Sequence, residues 1–183
     1  MTRAALIRTD RYSHVAILFH WTIAALVIFN IVVGIFHESL FEGLPVMPAH
    51  KALGMLVLVL TVGRIGWRLA NPAPAHPETM AAWERTVAGA THLFFYFLLL
   101  AMPLTGWMMG GGKSPPRSVD IFGLFQVPGL PVGKPIAGAA HEFHELAGYL
   151  FAALVVLHIA AALRHHFMLK DGVLARMVPG LGR

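Results

Sequence analysis

The chain contains no cysteine. That absence excludes disulfides, cysteine-ligated iron–sulfur clusters and haem attached through thioether bonds. A metal cofactor would have to rest mainly on the 11 histidines, with the nine methionines as the remaining candidates. Charge is scarce as well. Asp, Glu, Lys and Arg make up 13% of the 183 residues, about half of the ~25% usual in soluble domains. With a mean hydropathy of +0.67, the deficit argues for a membrane protein.

What fills the place of charge is apolar sequence in four long runs, at about residues 15–36, 47–69, 87–109 and 143–167. Each reaches the roughly 20 residues that a helix needs to span the hydrocarbon core. The first run is too long for the apolar region of a signal peptide and ends in no clean small-residue cleavage site, so it is expected as a retained span. The expectation is a single all-α domain over residues 1–183, an integral membrane four-helix bundle in the lipid bilayer. No internal repeat is evident. Trp21, Trp67, Trp83 and Trp107 fall near span ends, where an interfacial aromatic belt belongs.

The basic excess, 14 Lys and Arg against nine acids, is explained by topology, and no nucleic-acid partner is expected. Four spans put both termini on one side. That side holds Arg3, Arg8, Arg11, Arg64, Arg68, Arg85, Arg164, Lys170, Arg176 and Arg183, whereas Lys51, Lys113, Arg117 and Lys134 fall on the other. The positive-inside rule then places both termini in the cytoplasm. The connection over residues 38–48 is short and acidic, and that over 71–80 is rich in proline. Residues 110–140 are rich in Gly and Pro and read as an irregular, partly structured periplasmic loop, a length that is often functional or disordered.

Two histidines of the fourth run, His144 and His158, stand 14 residues apart. That is about 3.9 helical turns, so both side chains share one face, separated by roughly 21 Å along the axis. The first run carries His20 about two turns inside its cytoplasmic end, at the depth of His158. The second run carries His50 in its first turn, at the depth of His144. The natural pairing is His20 with His158 and His50 with His144. Four histidines in two layers are what two stacked b-type haems need. A structural or proton-conducting role is the alternative for any single intramembrane histidine, and depth matching of all four argues against it.

Gly54 follows His50 by four residues and Gly148 follows His144 by four. Each glycine lies one turn along the ligand's own face, where a porphyrin needs a gap; close packing of membrane helices through small residues is the other reading. Arg64 lies 14 residues after His50 on the same face. Its guanidinium can pair with a haem propionate or anchor the span end in the cytoplasm. His165, two turns beyond His158, can donate a hydrogen bond and a proton to a quinone head group. On spacing alone a solvated residue at a helix end is the favoured reading. His92 and His141 fit either a site or a packing role.

With these residues in view, the sequence resembles the prokaryotic cytochrome b561 family. The resemblance is carried by His20-Trp21, by His50-Lys51-Ala52-Leu53-Gly54, by His141-Glu142-Phe143-His144-Glu145 with Leu157-His158, and by the tail Arg164-His165-His166-Phe167-Met168-Leu169-Lys170-Asp171 with Met177-Val178-Pro179. It covers nearly the whole chain. It implies a bacterial inner-membrane protein with two haem b groups and with His20, His50, His144 and His158 as axial ligands. It also implies quinone binding at His165. Members similar to this chain take an electron from superoxide at the periplasmic side and deliver it to ubiquinone, which would make the chain a superoxide:ubiquinone oxidoreductase. Lys51, beside His50, would then draw in the superoxide anion together with Lys113, Arg117 and Lys134, unless these are ordinary loop charges offset by Asp120, Glu142 and Glu145. The long loop is the least similar part. Two other readings stand beside this one. The cytochrome can be a quinol-linked subunit serving a dehydrogenase or another redox partner protein, or it can be a haem carrier or sensor.

Overall fold

The computed structural model describes residues 11–77, 80–178 and 180–181. Arg3, Arg8, Arg183 and Pro179 of the readings above lie outside the described residues. Four helices follow one another: α1 (His14–Phe36), α2 (Val46–Ala70), α3 (Ala82–Met109) and α4 (Lys134–Arg164). All four are long and apolar enough to cross a membrane. Their outer faces carry large apolar side chains open to the surroundings, among them Leu18 (69% exposed), Leu93 (73%) and Val156 (66%). Water would not tolerate that many in mid-helix, whereas lipid does.

The helices form a ring in which α1 packs on α2, α2 on α3, α3 on α4 and, more sparsely, α4 on α1. The shared core is thin: Ile23 and Val27 of α1, Val57 of α2, Leu98 and Leu99 of α3, Ala147 and Phe151 of α4. It sits between two levels of histidines rather than filling the bundle end to end.

Local sequence explains the ends. Ser13 caps α1, its Oγ accepting from the Ala16 N–H (3.3 Å). The same Oγ accepts from Trp67 Nε1 (3.1 Å), tying the start of α1 to the end of α2. Helix α3 begins at Ala82, ahead of its apolar run, where Glu84 accepts from the Ala81 N–H. Helix α4 begins at Lys134, with Pro135 in its first turn, where a missing N–H costs nothing. The residues expected as an irregular, partly structured loop hold a short hairpin. Strands β1 (Val119–Ile121) and β2 (Phe125–Val127) pair antiparallel, with Asp120 opposite Gln126. Asp120 accepts from the Gly123 N–H at the hairpin tip (2.8 Å). Trp107 Nε1 donates to the Pro128 carbonyl and fastens the hairpin's base to α3 (2.9 Å).

Beyond α4 a wide π-type turn spans His165–Leu169, followed by a short 3₁₀ turn at Leu174–Arg176. This tail folds back over the end of the bundle. Trp21 Nε1 donates to the Met177 carbonyl (2.8 Å) and Arg176 to the Ala75 carbonyl.

Candidate functional site

The structure brings the four histidines together in two cross-helix pairs. His50 of α2 and His144 of α4 stand with ring centres 6.2 Å apart and planes at 71°. His20 of α1 and His158 of α4 stand 6.3 Å apart at 72°. A metal held about 2 Å from one nitrogen of each of two imidazoles puts the ring centres about 6 Å apart. Both pairs have the spacing that would seat an iron between them.

The surroundings of the first pair fit a flat, bulky group. Helices α2 and α4 lie diagonally across the ring, and between them opens a cavity of about 590 Å³. One glycine from each helix lines it: Gly34, Gly54, Gly106 and Gly148. Gly54 and Gly148 stand where the sequence suggested a gap. A Cβ at either would meet only ordinary contacts, at 3.8 Å from Asn30 and 3.7 Å from Met102. The tight positions are the other two. A Cβ on Gly34 would lie 3.2 Å from His50 Cε1, and one on Gly106 would lie 3.1 Å from His144 Cε1. These glycines let the imidazoles reach their positions. The sequence reading passed over them because neither α1 nor α3 supplies a histidine at that level. The signal was still there: each glycine stands about one turn from the end of its span, at the depth of the pair.

Hydrogen bonding orients His144. The Thr105 hydroxyl donates to the Ala101 carbonyl (2.8 Å). With its single proton so used, the hydroxyl accepts from His144 Nδ1–H (3.1 Å). That leaves Nε2 free for a metal, the division of labour usual for ligating histidines. His50 Nδ1 is buried and makes no hydrogen bond, as is Asn30 Oδ1 beside the cavity. Polar atoms buried this way are costly without a partner, and two such atoms at a cavity wall suit an occupied site.

The mouth of the cavity is charged. Lys51, Lys113 and Arg117 line it with His37 and His141, against Glu38 and Glu145. Lys134, counted with them in the sequence, is not among the lining residues.

At the other level, Phe95 (5.2 Å) and His92 (5.9 Å) of α3 pack against the His158 ring. Arg64 lies within electrostatic reach of His20, His92 and His158, its guanidinium resting over the Tyr96 ring at 5.6 Å. His165 is not a solvated helix end. It is 7% exposed, and Nδ1 sits 2.5 Å from Asp171 Oδ2. Asp171 had no role in the sequence reading; its spacing, six residues on across a π-type turn, matches no regular helical register.

A family model describing prokaryotic cytochrome b561 matches residues 11–180. Cytochrome b561 homolog 2 of Escherichia coli is 30% identical over 179 residues, covering 92% of each chain. Cytochrome b562 of Cereibacter sphaeroides is 32% identical, covering 91% of this chain and 94% of its own. A protein of Yersinia pestis named "Probable superoxide oxidase CybB" is 28% identical, with coverages of 92% and 96%. The chain belongs to the prokaryotic cytochrome b561 family, multi-pass membrane cytochromes that bind b-type haem and transfer electrons.

Proposed function

We propose that the chain is a di-haem cytochrome of the bacterial inner membrane that transfers electrons from superoxide to ubiquinone. The observation that carries the reading is the pair of cross-helix imidazole couples, 6.2 Å and 6.3 Å between ring centres, one near each end of the bundle. His50 and His144 would hold one b haem, and His20 and His158 the other. When bound, the haems supply a one-electron centre at each level. The chain's own residues supply the rest. Gly34, Gly54, Gly106 and Gly148 keep the upper site open, Thr105 fixes the tautomer of His144, and Arg64 offers a fork for propionate oxygens. The lysine and arginine distribution in the sequence supports cytoplasmic termini, with the His50/His144 end in the periplasm.

Superoxide as donor is supported by the mouth of the cavity. Lys51, Lys113 and Arg117 outnumber Glu38 and Glu145 among its lining residues, and a net positive lining would raise the encounter rate of a small anion. The name of the Yersinia pestis relative points the same way. Two superoxide anions yield two dioxygen molecules and two electrons. Ubiquinone takes up those electrons with two protons, and His165, two turns past His158, would donate a proton to its carbonyl. Stopped-flow mixing of the oxidised cytochrome with a superoxide pulse tests the reading. It predicts haem reduction within the mixing experiment and reoxidation on adding ubiquinone. Slow or absent reduction, with a dehydrogenase subunit retained on purification, would instead identify a quinol-linked subunit.

A further inference from the structure

The tail places a buried acid against the residue assigned above to the quinone. We propose that Asp171 is the positioning residue of the quinone site: it accepts from His165 Nδ1–H and thereby aims Nε2 at a quinone carbonyl. The inference rests on the quinone reading of His165.

Both side chains are enclosed, His165 at 10% exposure and Asp171 at 5%. Burying a carboxylate is unfavourable unless its oxygens are bonded, and here both are. Oδ2 takes the His165 ring at 2.5 Å, and Oδ1 accepts from the Val173 N–H at 3.1 Å. The backbone is bent to make this contact. The wide turn over His165–Leu169 ends at Lys170 in the left-handed region (φ 52°), which reverses the chain and returns Asp171 toward the helix it has just left. A non-glycine residue seldom adopts that conformation unless a specific contact holds it. The reversed segment is then pinned to α1 through Trp21 and to the second connection through Ala75. Trp21 is the neighbour of His20, their rings 5.3 Å apart. The acid is thus held in register with the lower histidine pair from two sides.

The chemistry follows from the ring's two nitrogens. With Nδ1 committed to Asp171, Nε2 makes no hydrogen bond among the described residues. In the imidazolium form, in which the Nδ1 proton stays with Asp171, Nε2–H can donate to a carbonyl oxygen and pass its proton when that oxygen gains electrons, leaving the neutral Nδ1–H ring, which takes a proton back from water. Neighbouring charge on α3 is already neutralised: Glu84 pairs with Arg164 at 3.0 Å. Asp171 is the carboxylate in contact with the ring, oriented by Val173, and makes no other ion pair among the described residues.

The test uses the full-length, haem-loaded protein, reduced with dithionite and mixed with decylubiquinone in a stopped-flow cell. Three variants are compared, Asp171→Ala, His165→Ala and the double replacement, with isothermal titration of the same quinone as a second measurement. Asp171→Ala is expected to slow reoxidation about 10-fold to 100-fold, the range for loss of a residue that orients a reacting imidazole, with the loss mainly in the limiting rate and little change in quinone affinity. The double variant is expected to equal His165→Ala, because a residue acting through another adds nothing once that other is gone. Additive losses in the double variant would overturn the positioning role while leaving His165 at the quinone. Unchanged reoxidation in His165→Ala would remove the quinone reading and the inference with it.

Discussion

At Gly106 a single hydrogen in place of a side chain decides where His144 can stand. The distance from its missing Cβ to the His144 ring, 3.1 Å, is shorter than any comfortable contact, and Gly34 stands in the same relation to His50. At Gly106 the neighbouring atom belongs to an imidazole that Thr105 holds on its other side, so it cannot give way without disturbing that bond. Gly106→Val is expected to push His144 off its partner and to lower retention of the haem at that level about 10-fold or more, leaving the other haem in place. Gly138→Ala is the control, since a Cβ there meets nothing within 4 Å. Absorbance spectra of the purified variants, scaled to protein, check this. The ligand candidates themselves were legible in the sequence, because helical periodicity fixes which residues share a face and hydropathy fixes their depth. Their supporting residues were not. Thr105, Asn30, Gly34 and Asp171 act across helices or across a chain reversal, and no periodicity along one segment reports such a contact.

Among the elements, the helices were readable and their extensions were not. Apolar runs mark the part of a helix that faces lipid. They say nothing about the polar turns that continue it, so α4 begins nine residues before the run at 143–167. The hairpin was hidden for a different reason. Strands β1 and β2 have three residues each, too few for an alternation to stand out, and their order comes from Asp120, Gln126 and the bond from Trp107. This element helps carry the charges at the cavity mouth. Lys113 and Arg117 lie just before it, exposed, and line the cavity with Lys51. Reversing both, Lys113→Glu with Arg117→Glu, is expected to slow haem reduction by superoxide about 10-fold at low ionic strength. The difference between variant and parent should shrink as salt is added, since exposed charges are screened over about 10 Å at 0.1 M. A salt-independent defect would place these residues outside electrostatic steering.

Over the whole molecule, the bundle is built around two levels of histidines with a thin apolar core between them. Helix α4 belongs to both levels, through His144 and His158, and its continuation reaches His165. The 14-residue spacing between them is the distance needed to serve both ends of one membrane-spanning helix. The ring order explains why its partners differ. His158 meets a neighbour, α1, across a sparsely packed seam, whereas His144 meets α2 across the diagonal, where the cavity leaves room. That diagonal could not be read from the sequence, because depth matching pairs residues by level and says nothing of which helices are adjacent. The central claim is that these two couples each hold a haem. Pyridine-haemochrome analysis of the purified protein and of His144→Ala and His158→Ala measures it directly. Two b haems per chain in the parent and one in each variant is the predicted result. A single haem in the parent, or two retained in either variant, would contradict it.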